Sequence, residues 1–95
     1  MALVVQKYGG SSLADADKIR RVASRIARTR ESGGRVVAVV SAMGDTTDEL
    51  IAMAHQVSDR PDLREMDLLL STGELVSGTL MAMALRSVGY DAISL

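Results

Sequence analysis

The 95-residue sequence predicts an α/β fold built on a mainly parallel sheet. Two short apolar runs, residues 2–6 and 36–40, flank an amphipathic stretch at residues 15–31, which gives the order strand, helix, strand. The second run is nearly continuously apolar, as is typical of a parallel strand covered on both faces. A composition of 47 % hydrophobic and 24 % charged residues is that of an ordinary globular protein.

The helix at residues 15–31 is predicted by its apolar spacing and its charges. Apolar side chains recur at intervals of three and four, at Ile19, Val22, Ala23, Ile26 and Ala27. Asp15 and Asp17 lie in the first turns, where the positive end of the helix dipole favours acidic groups. Gly33 follows the last turn and predicts the end of the helix.

Three further helical segments are predicted in the second half of the chain. The first covers residues 47–57 and is followed by a polar break that contains the only proline. The others cover residues 63–70 and 75–88, and the Ser71-Thr72-Gly73 sequence separates them.

Residues 92–95 read as the start of a third strand. A four-residue strand at the very end predicts that residues 1–95 are the N-terminal part of a truncated domain. The alternative is a short but complete edge strand.

The composition excludes several classes of function. A net charge of −1 gives no electrostatic case for nucleic acid or an anionic membrane. The basic run from Lys18 to Arg35 lacks interleaved aromatic residues and is interpreted as the solvated side of the first helix. The chain has no cysteine and a single histidine, His55, so we expect no metal site. No signal peptide or membrane-length apolar stretch is recognised, which predicts a soluble cytoplasmic protein.

The first candidate site is Lys7-Tyr8-Gly9-Gly10, at the predicted carboxyl end of the first strand. Ligands bind at this edge of open α/β sheets. Glycines let the backbone approach a phosphate, and Lys7 adds a flexible positive charge. The pattern matches neither the P-loop nor the dinucleotide motif. A plain turn followed by a helix cap is the alternative.

The second and third candidate segments are residues 41–49, after the second strand, and residues 71–74. Both combine glycine, hydroxyl and acidic residues, which would form a polar rim around one edge of the sheet. Helix capping is the alternative, because Thr46-x-x-Glu49 and Ser71-x-x-Glu74 also fit capping boxes.

These segments resemble, in order and spacing, the motifs of aspartate kinases. The resemblance rests on the sequences VQKYGGSS from Val5, VVSAMGDTTDEL from Val39 and DLLLSTGE from Asp67, and it extends over the whole chain. Tyr8 and Ser11 stand where many members of that family carry Phe and Thr. The resemblance implies a three-layer α/β/α sandwich of the amino-acid kinase (carbamate-kinase-like) type, of which this chain is the N-terminal portion.

The resemblance also implies an activity and roles for individual residues. The reaction is transfer of the ATP γ-phosphoryl group to the side-chain carboxylate of L-aspartate, the entry to lysine, threonine, methionine and diaminopimelate synthesis. A Mg²⁺ ion is expected through the ATP phosphates, and a homo-oligomer is expected for the complete enzyme. Residues on the ATP side would be Lys7, Tyr8, Gly9, Gly10 and Ser41, with Lys7 catalytic. Residues on the aspartate side would be Asp45, Thr46, Thr47, Asp48, Glu49 and Glu74. Residues 25–30 would be near the nucleotide.

Members of that family have several hundred residues, so we expect the 95-residue chain by itself to be inactive. One alternative is another kinase of the same superfamily, acting on acetylglutamate, glutamate or a uridine nucleotide. The other is a non-catalytic module that associates through the apolar helix at residues 75–85.

Overall fold

The computed structural model describes residues 2–95 and confirms an α/β fold with a parallel pair of strands. A short 3-10 helix at Gly10–Leu13 connects the first strand to the first helix. The remaining elements, in chain order, are β1 (Leu3–Tyr8), α1 (Ala16–Glu31), β2 (Arg35–Val40), α2 (Thr46–Val57) and α3 (Leu63–Ser87).

The two strands pair in parallel, from Leu3 opposite Arg35 to Tyr8 opposite Val40. Side chains alternate between two faces, and even-numbered residues of both strands point toward the helices. On the other face, Val37 and Val39 are each 46 % exposed. The expectation that residues 36–40 are covered on both faces is therefore wrong within residues 2–95. Only one of the two expected helical layers is formed by these residues.

The core lies between the sheet and helices α1 and α3. All five apolar positions predicted for α1 are buried, and Met81 and Leu85 of α3 pack into the same cluster. Asp15 caps α1, since its carboxylate accepts a 2.8 Å hydrogen bond from the Lys18 backbone N–H. The predicted amphipathic helix is confirmed, and its apolar stripe holds it against the sheet.

Helix α3 is one continuous helix of 25 residues, so the predicted break at Ser71-Thr72-Gly73 is wrong. The hydroxyls of Ser71 and Thr72 donate to the carbonyls of Leu68 and Leu69 in the preceding turn. These groups therefore do not cap a new helix, and the alternative of a capping box at Ser71-x-x-Glu74 is wrong as well. Gly73 is buried against the loop after β2, so a packing contact explains its presence.

Because the two predicted helical segments form one helix, α3 is long and apolar enough to cross a membrane. The mean hydropathy of its most apolar 18-residue window is 1.5, and 22 % of that window is buried. One such helix is weak evidence for a membrane, because a core helix of a soluble protein meets the same criteria. The residues of α3 that face α1 and the sheet belong to the core.

Residues 92–95 form no strand, in contrast to the sequence prediction. A strand needs a neighbour whose backbone groups it can pair with. Here the Ala92 carbonyl accepts a 2.9 Å hydrogen bond from the Arg86 side chain instead. Tyr90, two residues before this segment, is tied to α1, because its hydroxyl donates to the Glu31 carboxylate at 2.6 Å. That hydrogen bond raises the pKa of the Tyr90 phenol above its usual value.

Candidate functional site

Lys7 lies one residue before the carboxyl end of β1 and points to the uncovered face of the sheet. Its neighbours in sequence, Gln6 and Tyr8, point to the opposite face, toward α1. Within residues 2–95, no carboxylate lies within 4 Å of the Lys7 ammonium group. The side chain is therefore a solvent-accessible positive charge at the edge where the sequence predicts a phosphate site.

The two glycines after β1 have different surroundings. A Cβ atom on Gly9 would meet nothing within 4 Å, whereas one on Gly10 would lie 2.9 Å from the Ala42 carbonyl oxygen. The Gly10 carbonyl also accepts a 2.8 Å hydrogen bond from the Gly44 N–H. Gly10 thus joins the turn after β1 to the loop after β2, while Gly9 leaves open space for a ligand.

Ser41 connects three segments through its backbone. Its N–H donates to the Tyr8 carbonyl at 3.2 Å, and its carbonyl accepts a 2.6 Å hydrogen bond from the Ser77 hydroxyl. Ser77 is completely buried, so this bond satisfies a polar group that would otherwise be costly. The loop after β2 is therefore fixed on one side to β1 and on the other to α3.

The first turn of α2 contains the candidate residues at positions 45–49. Asp45 occupies the N-cap position and makes no side-chain capping bond, so the alternative of a capping box at Thr46-x-x-Glu49 is wrong. The side chain of Thr46 faces α3, where its Cγ2 lies 3.3 Å from the Cβ position of Gly73. The other three candidates in this turn have exposed side chains: Thr47, Asp48 and Glu49.

Glu74 is exposed on α3, one turn before Ser77. The Ser77 hydroxyl lies 3.2 Å from the Glu74 carbonyl, so the Glu74 backbone is close to the Ser41 loop. With Ser71 and Val40, Glu74 lines an open cleft of about 1130 Å³ that runs along β2. Three parts of the chain therefore converge: the glycine turn (residues 9–10), the Ser41 loop (residues 41–45) and the Glu74 turn of α3 (residues 74–77). Lys7 and Gly9 lie outside this cleft.

Ser77 helps to hold this arrangement through its hydrogen bond to Ser41, but it is part of no recognisable sequence motif. The available signal is its spacing, because Gly73, Ser77, Met81 and Leu85 recur every four residues and form the buried stripe of α3. A serine on such a stripe needs a hydrogen-bond partner. The identity of that partner, a carbonyl 36 residues away, requires the fold.

Other charged groups have plain structural roles. The cations from Lys18 to Arg35 are exposed, and Arg20 pairs with Asp17 in the preceding turn, which confirms the solvated helix face. His55 is exposed on α2. Across residues 2–95, no group of three His, Cys, Asp or Glu side chains is arranged to hold a metal ion.

A second cleft of about 580 Å³ lies between α2 and α3 and has mainly apolar walls, including Val57, Met66 and Leu69. Of the three candidate segments, only the one at residues 71–74 reaches it, through Thr72. Ligand pockets combine apolar walls with converging polar groups, so we place the candidate site at the sheet edge.

Comparison with known proteins adds independent findings. The model of the amino acid kinase family matches residues 2–95. The chain is similar to the aspartokinases of Mycolicibacterium smegmatis, at 63 % identity over 94 residues, and of Corynebacterium glutamicum, at 58 % over 94 residues. Both alignments cover 99 % of this chain and 22 % of the relative.

A solved structure agrees with these sequence matches. The crystal structure of aspartate kinase from Synechocystis superposes with a TM-score of 0.97 at 52 % identity. The match covers 99 % of this chain and 16 % of that one. The chain thus spans less than a quarter of the length of the proteins it matches.

Proposed function

The chain belongs to the amino acid kinase family, and on that premise we propose that it forms part of the active site of an aspartate kinase. The reaction is transfer of the γ-phosphoryl group of ATP to the side-chain carboxylate of L-aspartate. The convergence of the glycine turn, the Ser41 loop and the Glu74 turn at one sheet edge carries this proposal. Aspartokinases at 58–63 % identity make aspartate the preferred acceptor.

The phosphates of ATP would lie against the turn after β1. Gly9 leaves the space that a phosphate needs, and Lys7 supplies an unpaired cation beside it. Gly10 and Ser41 would act through their backbones, which are locked together by the bonds to Gly44 and Tyr8. Tyr8 is 8 % exposed, so it too would contribute through its backbone.

L-aspartate would lie near α2 and α3. Glu74 is exposed and suited to the substrate ammonium group, and Thr47 offers an exposed hydroxyl at the start of α2. The neighbouring acidic groups of this turn, Asp45, Asp48 and Glu49, would line the substrate space together with Thr46.

This arrangement suits phosphoryl transfer because the reaction depends on positioning and charge neutralisation. The acceptor carboxylate is already ionised near neutral pH and needs no strong base. A Mg²⁺ ion bound together with ATP would supply neutralisation of the negative charge on the phosphates. The described residues fit the phosphates through Lys7 and Gly9 and hold no protein cage for the ion.

The same proposal implies a metabolic pathway, a cellular location and an oligomeric state. The enzyme would supply 4-phospho-L-aspartate for the synthesis of diaminopimelate, lysine, threonine and methionine. It would work in the cytoplasm as a homo-oligomer, with small-molecule substrates and without nucleic acid or membrane partners.

The test uses a chimaeric kinase, the Mycolicibacterium smegmatis aspartokinase in which this chain replaces the matching segment. We expect ADP release that depends on both ATP and L-aspartate. Lys7→Ala should lower kcat about 100-fold, as loss of one charge-stabilising group does, with little change in the KM for aspartate. Lys18→Ala, which removes an exposed lysine of α1, is the matched control and should leave both constants unchanged.

An unchanged kcat in Lys7→Ala would remove Lys7 from its proposed role. Absence of aspartate-dependent ADP release from the chimaera would overturn the proposed function. Activity with acetylglutamate, glutamate or a uridine nucleotide instead of aspartate would reassign the acceptor.

A further inference from the structure

A chain of hydrogen bonds links β1 to α1 beside Lys7. The Tyr8 hydroxyl donates to the Gln6 side-chain oxygen at 2.9 Å, and the Gln6 amide nitrogen donates to the Thr29 hydroxyl at 2.8 Å. The Thr29 hydroxyl in turn donates to the Arg25 carbonyl at 3.3 Å. These side chains lie on the helix-facing side of β1 and on α1, and they are wholly or partly buried.

The bonds of this chain all run in the same direction. Each hydroxyl or amide group accepts one hydrogen bond and donates the next, except Tyr8, which only donates, and the Arg25 carbonyl, which only accepts. Hydrogen bonds arranged in this way polarise one another and act as a unit. The arrangement also fixes the Gln6 amide, because its oxygen must face Tyr8 and its nitrogen must face Thr29.

The residues of the network flank the candidate site. Gln6 and Tyr8 are the residues on either side of Lys7, and the Tyr8 carbonyl also accepts the hydrogen bond from Ser41. The position of Lys7 and of the turn that follows it therefore depends on how β1 is seated on α1.

We propose that Tyr8, Gln6 and Thr29 form a positioning network that seats the carboxyl end of β1 on α1 and so places Lys7 and the Gly9-Gly10 turn for phosphoryl transfer. This inference rests on the proposed function. It assigns the hydroxyl of Tyr8 a role separate from the packing of its ring. A phenylalanine would fill the same space without holding the Gln6 amide.

Isosteric variants test the network in the chimaeric kinase. Tyr8→Phe and Thr29→Val remove one hydroxyl each and keep the side-chain volume. We expect each to lower kcat about 5-fold, which corresponds to one net hydrogen bond, while the KM for aspartate stays within about 2-fold. The double variant should be no slower than either single variant, because both break the same unit. Thr29→Ser retains the hydroxyl and should restore kcat.

The matched control is Thr79→Val on α3. The Thr79 hydroxyl donates to the Leu75 carbonyl at 2.7 Å, four residues earlier, as Thr29 does to Arg25, but among residues 2–95 it accepts no bond from another element. Its kcat should equal that of the unmodified chimaera. An unchanged kcat in Tyr8→Phe, or multiplicative losses in the double variant, would overturn the proposal.

Hydrogen exchange of the same proteins separates this inference from the proposed function. The Ser12 N–H, bonded to the Gly9 carbonyl at 3.1 Å, and the Ser41 N–H report on the seating of β1. Both should exchange faster in Tyr8→Phe and Thr29→Val than in Thr79→Val, whether or not the chimaera is active. Equal exchange rates would overturn the network, whereas an inactive chimaera with these differences would overturn only the aspartate kinase proposal.

Discussion

Gly9 and Gly10 are adjacent, identical residues with different physical requirements. Gly10 needs to lack a side chain because the carbonyl oxygens of Ala42 and Gly44 lie 2.9 and 3.1 Å from its Cβ position. These are backbone atoms that cannot move aside as a flexible side chain does. Gly9 has an extended backbone, with φ of −83°, and open space around it. The missing side chain of Gly9 therefore affects the space left for a ligand, not the packing of the protein.

Alanine substitutions should separate these two requirements in the chimaeric kinase. Gly10→Ala should destabilise the protein by about 1–3 kcal/mol, the usual cost of overpacking, and lower its melting temperature. Gly9→Ala should keep the melting temperature and raise the KM for ATP, because the new methyl group occupies the proposed phosphate space. Equal melting temperatures for the two variants would show that the contact at Gly10 relaxes at no cost.

At the scale of single residues, the sequence is informative where a residue's type alone restricts its role. Lys7, Gly9 and Gly10 could be singled out because a cation and two glycines follow a strand. The cap of α2 could not be assigned in this way, since Asp45 and Thr46 are both good capping residues. The fold places Asp45 at the cap position and turns Thr46 toward α3.

The element that differs most from its prediction is α3. Ser71, Thr72 and Gly73 are weak helix formers, and local propensity therefore predicts a break. The hydroxyls bond to their own helix, and Gly73 gains close contact with Ala42 and Thr46. Tertiary packing thus overrides propensity at this point, and no local pattern reveals it. By contrast, α1 was predictable because its apolar stripe and its cap are both local features.

The glycines of α3 offer a matched pair of substitutions. A Cβ atom on Gly73 would lie 2.8 Å from the Ala42 Cβ, whereas one on Gly78 would be 3.9 Å from its nearest neighbour, Val40. Gly78→Ala should stabilise the chimaeric kinase by about 1 kcal/mol through helix propensity alone. Gly73→Ala should lose more by overpacking than it gains in propensity and should push α3 away from the Ser41 loop.

The measurable order of melting temperatures is therefore Gly78→Ala highest, the unmodified chimaera next and Gly73→Ala lowest. Gly73→Ala should also reduce kcat, because α3 carries Glu74 and holds the Ser41 carbonyl through Ser77. A melting temperature of Gly73→Ala at or above that of Gly78→Ala would contradict the close packing of α3 on the loop.

At the scale of the whole chain, the sheet formed within residues 2–95 has one covered and one open face. The side chains of Leu3, Val5, Val37 and Val39 are 46–65 % exposed, and Lys7 lies on the same face. The sequence predicted a parallel pair with apolar strands, but it could not show which face the helices of this segment cover. That depends on α1 and α3 packing against each other, a contact between distant parts of the chain.

The openness of this face predicts that residues 1–95 alone do not catalyse phosphoryl transfer. Two unit charges 4 Å apart attract by about 1 kcal/mol in bulk water and by about 4 kcal/mol near a protein surface. In this chain Lys7 lies among half-exposed side chains, so water screens its attraction for a phosphate. Efficient transfer requires a site that excludes water and positions both substrates. The purified chain, supplied with ATP, Mg²⁺ and L-aspartate, should release no more ADP than its Lys7→Ala variant. Aspartate-dependent ADP release above that control would show that the open face suffices for the chemistry.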